Sequence, residues 1–154
     1  MPQAQRSIDI RVPPERIFEV VQDYAKYPEF IPDLRRVSVL RKAGTQQDVE
    51  FEVELSLPLG MRKRIRYSLA INAEPPRSVR WSLISGEVLK GNNGSWSFRP
   101  RGQDCTEATY TIEIAFGPLV PKVISNFLAE QSLPKLLAQF KARAESLFPA
   151  AEAR

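Results

Sequence analysis

The chain has 154 residues, enough for one domain with a substantial core, and its 43% apolar and 26% charged content is ordinary for a globular protein. It contains no histidine, which removes the usual general base, the usual metal ligand and every Ser–His or Cys–His pair, so zinc sites and conventional hydrolases are not expected. The net charge of +4 permits an anionic partner such as a lipid surface, RNA or a carboxylate ligand without demanding one.

The first predicted element is a strand, SIDIRV (7–12), in which Ile8, Ile10 and Val12 alternate with polar neighbours. Pro13 and Pro14 stop it and open a helix, PPERIFEVVQDY, whose Ile17, Val20, Val21 and Tyr24 form one apolar stripe. Pro28 and Pro32 keep that helix short, and DYAKYPEFIP (23–32) then reads as a second short helix and a turn into the sheet, with Asp23 capping backbone. Six strands follow: one around Val37 and Val39, then VEFEVELSL (49–57), RKRIRYSLAI (62–71), RWSLI (80–84), GSWSFRP (94–100) and ATYTIEIAF (108–116). Leu133, Leu136, Leu137, Phe140, Ala144, Leu147 and Phe148 mark a long C-terminal helix, with Pro134 near its start. Short connections imply an antiparallel meander covered by that helix, an α+β architecture.

No apolar run reaches the roughly 18 residues that cross a bilayer. The start MPQAQRSIDI has no signal-peptide character and Cys105 is the single cysteine, so one cytoplasmic domain over 1–154 is expected.

Successive turns of a meander alternate between the two ends of its sheet. AGTQQD (43–48), EPPRS (74–78) and RPRGQD (99–104) fall at one end and are polar. FIPDL (30–34), LPLG (57–60), SGEV (85–88) and FGPLVPKV (116–123) fall at the other, and three of these four are apolar. Such a collection marks a ligand mouth, a membrane contact or a partner surface.

Three stretches in this order, IRVPPERIFEVVQDYAKYPEFIP, GSWSFRP and LPKLLAQFKARAESLF, resemble the START-like polyketide cyclase/dehydrase superfamily (SRPBCC). Asp23, Tyr27, Pro28, Phe30 and Pro32 match the Asp, then Tyr-Pro-x-Phe-x-Pro, pattern of its bacterial members and of the similar coenzyme-Q-binding START-domain proteins. Gly94, Trp96 and Phe98 resemble its Gly-x-Trp-x-Phe strand, and Lys141, Arg143 and Glu145 the end of its last helix. The resemblance implies a helix-grip fold: a curved seven-stranded antiparallel sheet wrapped around the C-terminal helix, with two short helices between strands 1 and 2.

It also implies a deep apolar cavity. Strand parity offers Phe51, Val53, Ile65, Tyr67, Leu69, Trp81, Leu83, Trp96, Phe98, Tyr110, Ile112 and Ile114 as liners, and the helix adds Val123, Ile124 and Phe127. Tyr27, Phe30, Ile31, Leu57, Leu59, Leu119 and Val120 are assigned to its mouth. The expected ligand is a hydrophobic small molecule, such as a lipid, an isoprenoid quinone or a polyketide-like chain, with no cofactor, no metal and no catalytic residue assigned. Transient contact with a membrane surface is compatible with the apolar end.

Two other function classes stay open. A cyclase or dehydratase would have to work through Tyr67, Tyr110, Glu87 or arginines, without a histidine. A ribosome- or protein-binding module of the superfamily's toxin-like branch would draw only on the positive charge, and it ranks lower. RKRIR (62–66) invites a nucleic-acid reading, but Arg62, Arg64 and Arg66 share a face opposite Glu50, Glu52 and Glu54, so cross-strand ion pairs are expected, leaving Lys63 outside them. Cys105 reads as inert, and Gly91, Gly94 and Gly102 as turn residues.

Overall fold

The computed structural model describes residues 3–56, 58–87, 89–117, 122 and 133–148. Strand β1 (Gln3–Ile10) leads through Pro13 into α1 (Pro14–Gln22) and a 3-10 helix (Tyr24–Glu29). The strands β2 (Leu34–Ala43), β3 (Gln46–Ser56), β4 (Arg62–Glu74), β5 (Ser78–Gly86), β6 (Leu89–Pro100) and β7 (Thr106–Phe116) follow, and then α2 (Leu133–Leu147). All seven strands form one antiparallel sheet in the order β1-β7-β6-β5-β4-β3-β2. The meander from β2 to β7 is therefore completed by β1, which pairs with β7 from Gln3↔Glu113 to Ile10↔Thr106. The curved sheet grips α2, and the fold is the α+β helix-grip.

Helix α1 starts where its prolines place it, with Pro14 at N1, where a missing N–H costs nothing, and Glu15 in the first turn. Its buried face is Pro14, Ile17, Val20 and Val21. The side chain of Asp23 caps neither helix, contrary to the expectation; its backbone does the joining, through Asp23 N–H to the Val20 carbonyl and Lys26 N–H to the Asp23 carbonyl. The first strand ends two residues earlier than the sequence pattern suggests, although Val12 is fully buried beyond it.

Helix α2 buries Leu137, Phe140 and Ala144. Near its end, Lys141 Nζ donates to the Asp9 carbonyl at 2.7 Å and pairs with Glu145 at 2.6 Å, while the Arg11 N–H donates to Glu145 Oε2 at 2.9 Å. These contacts fasten α2 to the link between β1 and α1.

On the outer face of β3 and β4, Arg64 lies within 3.3 Å of Glu54 and 3.5 Å of Glu52, and Arg62 within 3.3 Å of Glu54. Arg35 of edge strand β2 joins Glu54 at 3.5 Å. The ladder is narrower than parity alone suggests. Glu50 faces Ser68 in the register, and Arg66 offers its backbone N–H to Glu87 Oε1 at 3.0 Å.

Gly91 and Gly94 lie inside β6, which begins five residues earlier than expected, so neither is a turn residue. The reason at Gly94 is steric: a Cβ there would sit 2.4 Å from Trp81 Cζ2 and 2.6 Å from the Thr111 carbonyl. Gly102, with φ 79°, is a true turn glycine.

Candidate functional site: an apolar cavity between sheet and helix

A cavity of about 270 Å3 lies between the concave face of the sheet and α2. From β3 and β4 it takes Phe51, Val53, Ile65, Tyr67, Leu69 and Ile71, each on the inward parity of its strand. Trp81 from β5, Leu89, Asn92 and Trp96 from β6, Tyr110, Ile112, Ile114 and Phe116 from β7, and Ala4 from β1 complete the sheet wall. Val21, Tyr24, Tyr27, Ile31, Asp33 and Leu34 close it from the α1 side, and Lys135, Leu136, Gln139 and Phe140 from α2.

Two residues expected along the cavity do not border it. Phe98 is buried but packs edge-on against Phe18 and stacks on Trp96, while Leu83 is only half-buried. Val123, Ile124 and Phe127 lie outside the described residues, as do Leu57, Leu119 and Val120 of the expected mouth. Of the other mouth residues, Tyr27 and Ile31 are buried and line the cavity. Leu59, at φ 66° in the turn after β3, is 97% exposed and does not border the cavity. Phe30 packs on Tyr27 and Phe140 with Arg143 over its ring, and does not border the cavity either.

Aromatic side chains build much of the wall. One unbroken set of ring contacts runs from Phe18 through Phe98, Trp96, Phe140, Tyr27 and Phe51 to Tyr67, with Tyr110 and Trp81 branching from Trp96. Edge-to-face and tilted geometries dominate it, as ring quadrupoles favour.

All four tyrosines of the chain border this cavity. Burial pushes the Tyr67 phenol up to about 12 and raises Tyr24, Tyr27 and Tyr110 as well. At neutral pH they are uncharged hydroxyls, suited to donating hydrogen bonds and poor as bases. Two are already engaged: Tyr27 donates to the Val21 carbonyl, and the Tyr24 hydroxyl accepts from Gln22 Nε2 at 3.3 Å. The hydroxyls of Tyr67 and Tyr110 have no hydrogen-bond partner among the described residues.

Sequence pattern missed Asn92. It sits in KGNNGS, a composition that reads as a turn, yet it is 4% exposed in β6, and its Oδ1 accepts from Trp81 Nε1 at 3.1 Å. Lys135 and Gln139 were missed because both lie off the apolar stripe of α2. Glu87, considered as an acid, is exposed and bound to the Arg66 backbone rather than to the cavity. Among the described residues no group of acidic or cysteine side chains is placed to hold a metal, and no helix is long and apolar enough to cross a membrane.

Comparison with known proteins agrees with this architecture. The ribosome association toxin RatA of Vibrio cholerae is 27% identical over 137 residues, covering 83% of this chain and 91% of that protein. The Zhui aromatase/cyclase from Streptomyces sp. R1128 superimposes with a TM-score of 0.81 at 14% identity, over 97% of each chain. A STAR-related lipid transfer protein from Xanthomonas axonopodis gives a TM-score of 0.72 at 15% identity, over 93% of this chain and 85% of that one. The two structural likenesses establish the fold alone. The family profile described as polyketide cyclase / dehydrase and lipid transport matches residues 10–141, from the end of β1 to the middle of α2. With strands β2 to β7, the first half of the gripped helix and most of the cavity falling within that span, the chain belongs to the polyketide cyclase/dehydrase and lipid transport family.

Proposed function

We propose that this protein binds and carries a hydrophobic small molecule in the cavity, in the cytoplasm and without a cofactor. The cargo class is a lipid, an isoprenoid quinone or a polyketide-like chain. The main support is the cavity of about 270 Å3, whose wall is aliphatic and aromatic apart from Asn92, the tyrosine hydroxyls, Asp33, Lys135 and Gln139. Burying roughly 300 Å2 of apolar ligand surface at about 25 cal/mol per Å2 is worth about 7 kcal/mol before the cost of association. Phe51, Val53, Ile65, Leu69, Trp96, Ile112 and Ile114 would supply that contact, with Tyr67 and Tyr110 meeting polar atoms of the cargo. The family's link to lipid transport and the likeness to a lipid transfer protein support the same reading.

Exchange of cargo would use the turn after β3. Leu59 is 97% and Met61 55% exposed there, beside the exposed Arg62 and Lys63. Apolar tips flanked by cations suit transient contact with an anionic lipid surface.

Solvent extraction of the purified protein followed by mass spectrometry tests the proposal. A hydrophobic compound should co-purify, or bind from a panel of quinones, lipids and polyketide analogues. Failure of both rejects it.

A second reading is association with ribosomes, favoured by the likeness to RatA over most of both chains. Co-sedimentation with ribosomes that survives high salt would support it, whereas association lost on adding salt would reflect the net positive charge alone.

A further inference from the structure

We infer that the side-chain amide of Asn92 is a specificity-determining hydrogen-bond donor for a neutral carbonyl-type oxygen on the cargo. This rests on the cavity-binding reading above and deepens it.

The inference begins with a gap in the sheet. Strands β5 and β6 pair only from Ser78↔Ser97 to Trp81↔Gly94. Beyond that rung each follows its other neighbour, β5 out to Gly86↔Tyr67 and β6 out to Leu89↔Phe116. The first link past the last backbone rung is made by side chains, Trp81 Nε1 to Asn92 Oδ1 at 3.1 Å. Gly94 makes this possible, because any Cβ there would occupy the space of the Trp81 ring.

The direction of that bond fixes the chemistry. An indole N–H can only donate, so the atom of Asn92 that meets it must be the carbonyl oxygen. The NH2 group is therefore left to donate elsewhere, and it has no partner among the described residues. Asn92 is 4% exposed and borders the cavity. Among the described residues no fully buried side-chain nitrogen or oxygen lacks a partner, so this NH2 is reached from the cavity and is placed to meet an acceptor atom on whatever occupies it.

Charge narrows the acceptor. The charged side chains bordering the cavity are Asp33 and Lys135, one on the approach to β2 and one in the first turn of α2, and neither lies on the strands that carry Asn92 and Trp81. A carboxylate buried beside Asn92 would need Lys135 as its paired cation, whereas a ketone, ester or quinone oxygen needs none. The hydroxyl of Tyr110, whose ring lies 5.4 Å from that of Trp81, is a second neutral group on the same wall.

The test uses two bicyclic probes of nearly equal shape, α-tetralone and tetralin, which differ in one carbonyl. Wild-type protein should bind α-tetralone roughly five- to tenfold tighter than tetralin by calorimetry, the ratio one net hydrogen bond gives. The infrared carbonyl stretch of bound α-tetralone should stand at a hydrogen-bonded frequency. Asn92→Leu should abolish the preference and return the stretch to its apolar-solvent value. Asn92→Ala removes the same donor without adding bulk, and should lose the preference in the same way if the leucine variant misfolds. Equal affinity for both probes in wild type, or a hydrogen-bonded stretch that persists in the variants, overturns the assignment and leaves the apolar cavity standing. Binding of neither probe overturns both.

Discussion

The guanidinium of Arg143 lies over the ring of Phe30, 5.2 Å from its centroid, while the same group pairs with Glu29 at 2.8 Å. A residue that the sequence places at a ligand mouth is thus a bracket between the 3-10 helix and α2. Its ring also contacts Tyr27 and Phe140, which do line the cavity.

Phe30→Ala should therefore cost stability more than binding. A half-buried ring lost with its cation–π partner should lower the unfolding free energy by about 2 kcal/mol. Urea denaturation monitored by circular dichroism measures this. A near-normal midpoint with strongly weakened cargo uptake would put Phe30 back at the entrance.

Gly94→Ala should be among the most damaging single-methyl additions in the chain. Its Cβ would meet the Trp81 ring at 2.4 Å and the Thr111 carbonyl at 2.6 Å, and that carbonyl is backbone of β7, the strand paired with β6. Overpacking against backbone should cost about 3 kcal/mol and disturb the near-ultraviolet dichroism of the tryptophans. Wild-type stability would mean that β5 can withdraw freely.

The tyrosines predict a sharp alkaline limit. Their folded-state pKa values are raised above the unfolded value of about 10, so the protonated phenols favour the folded state. That contribution is intact below about pH 10 and is lost as pH rises through the folded values, the first of them Tyr67 at about 12. Absorbance of phenolate should stay flat past pH 10 and then rise together with loss of dichroism. A gradual rise near pH 10 in the folded protein would contradict this.

Glu145 predicts an acid limit. Burial raises its pKa, but the Lys141 ammonium and the Arg11 N–H outweigh burial and hold it below the usual carboxylate range. A lowered value stabilises above the unfolded pKa of about 4.3 and is lost as pH falls through the folded one. The melting temperature of Glu145→Gln should lie below wild type at pH 7, and the gap should close toward pH 3. A gap independent of pH would assign the effect to packing.

Strand parity and helical spacing were enough to place Phe51, Val53, Ile65, Tyr67, Trp96 and Tyr110 on one face, because an alternating strand leaves its inward residues little choice. The pairing of Arg64 with Glu52 and Glu54 followed from the same alternation. Asn92 was hidden for a physical reason. Its role depends on Trp81, eleven residues away, and on a glycine whose absent side chain makes room for that indole, and neither is a property of local sequence. Phe98 shows the converse: correct parity did not make it a liner, since α1 brings Phe18 against it. The closing of the sheet by β1 onto β7 was likewise out of reach of any local pattern.

The unfilled volume between sheet and helix has a mechanical meaning as well. Native interiors resist compression because they are packed like crystals, and unfolding under pressure is driven by the elimination of internal voids. The cavity of about 270 Å3 lies beneath a sheet that parts between β5 and β6, so this wall is held by fewer neighbours than a filled core provides. Cargo bound there would supply those neighbours, and the pressure needed to unfold the protein should rise with occupancy.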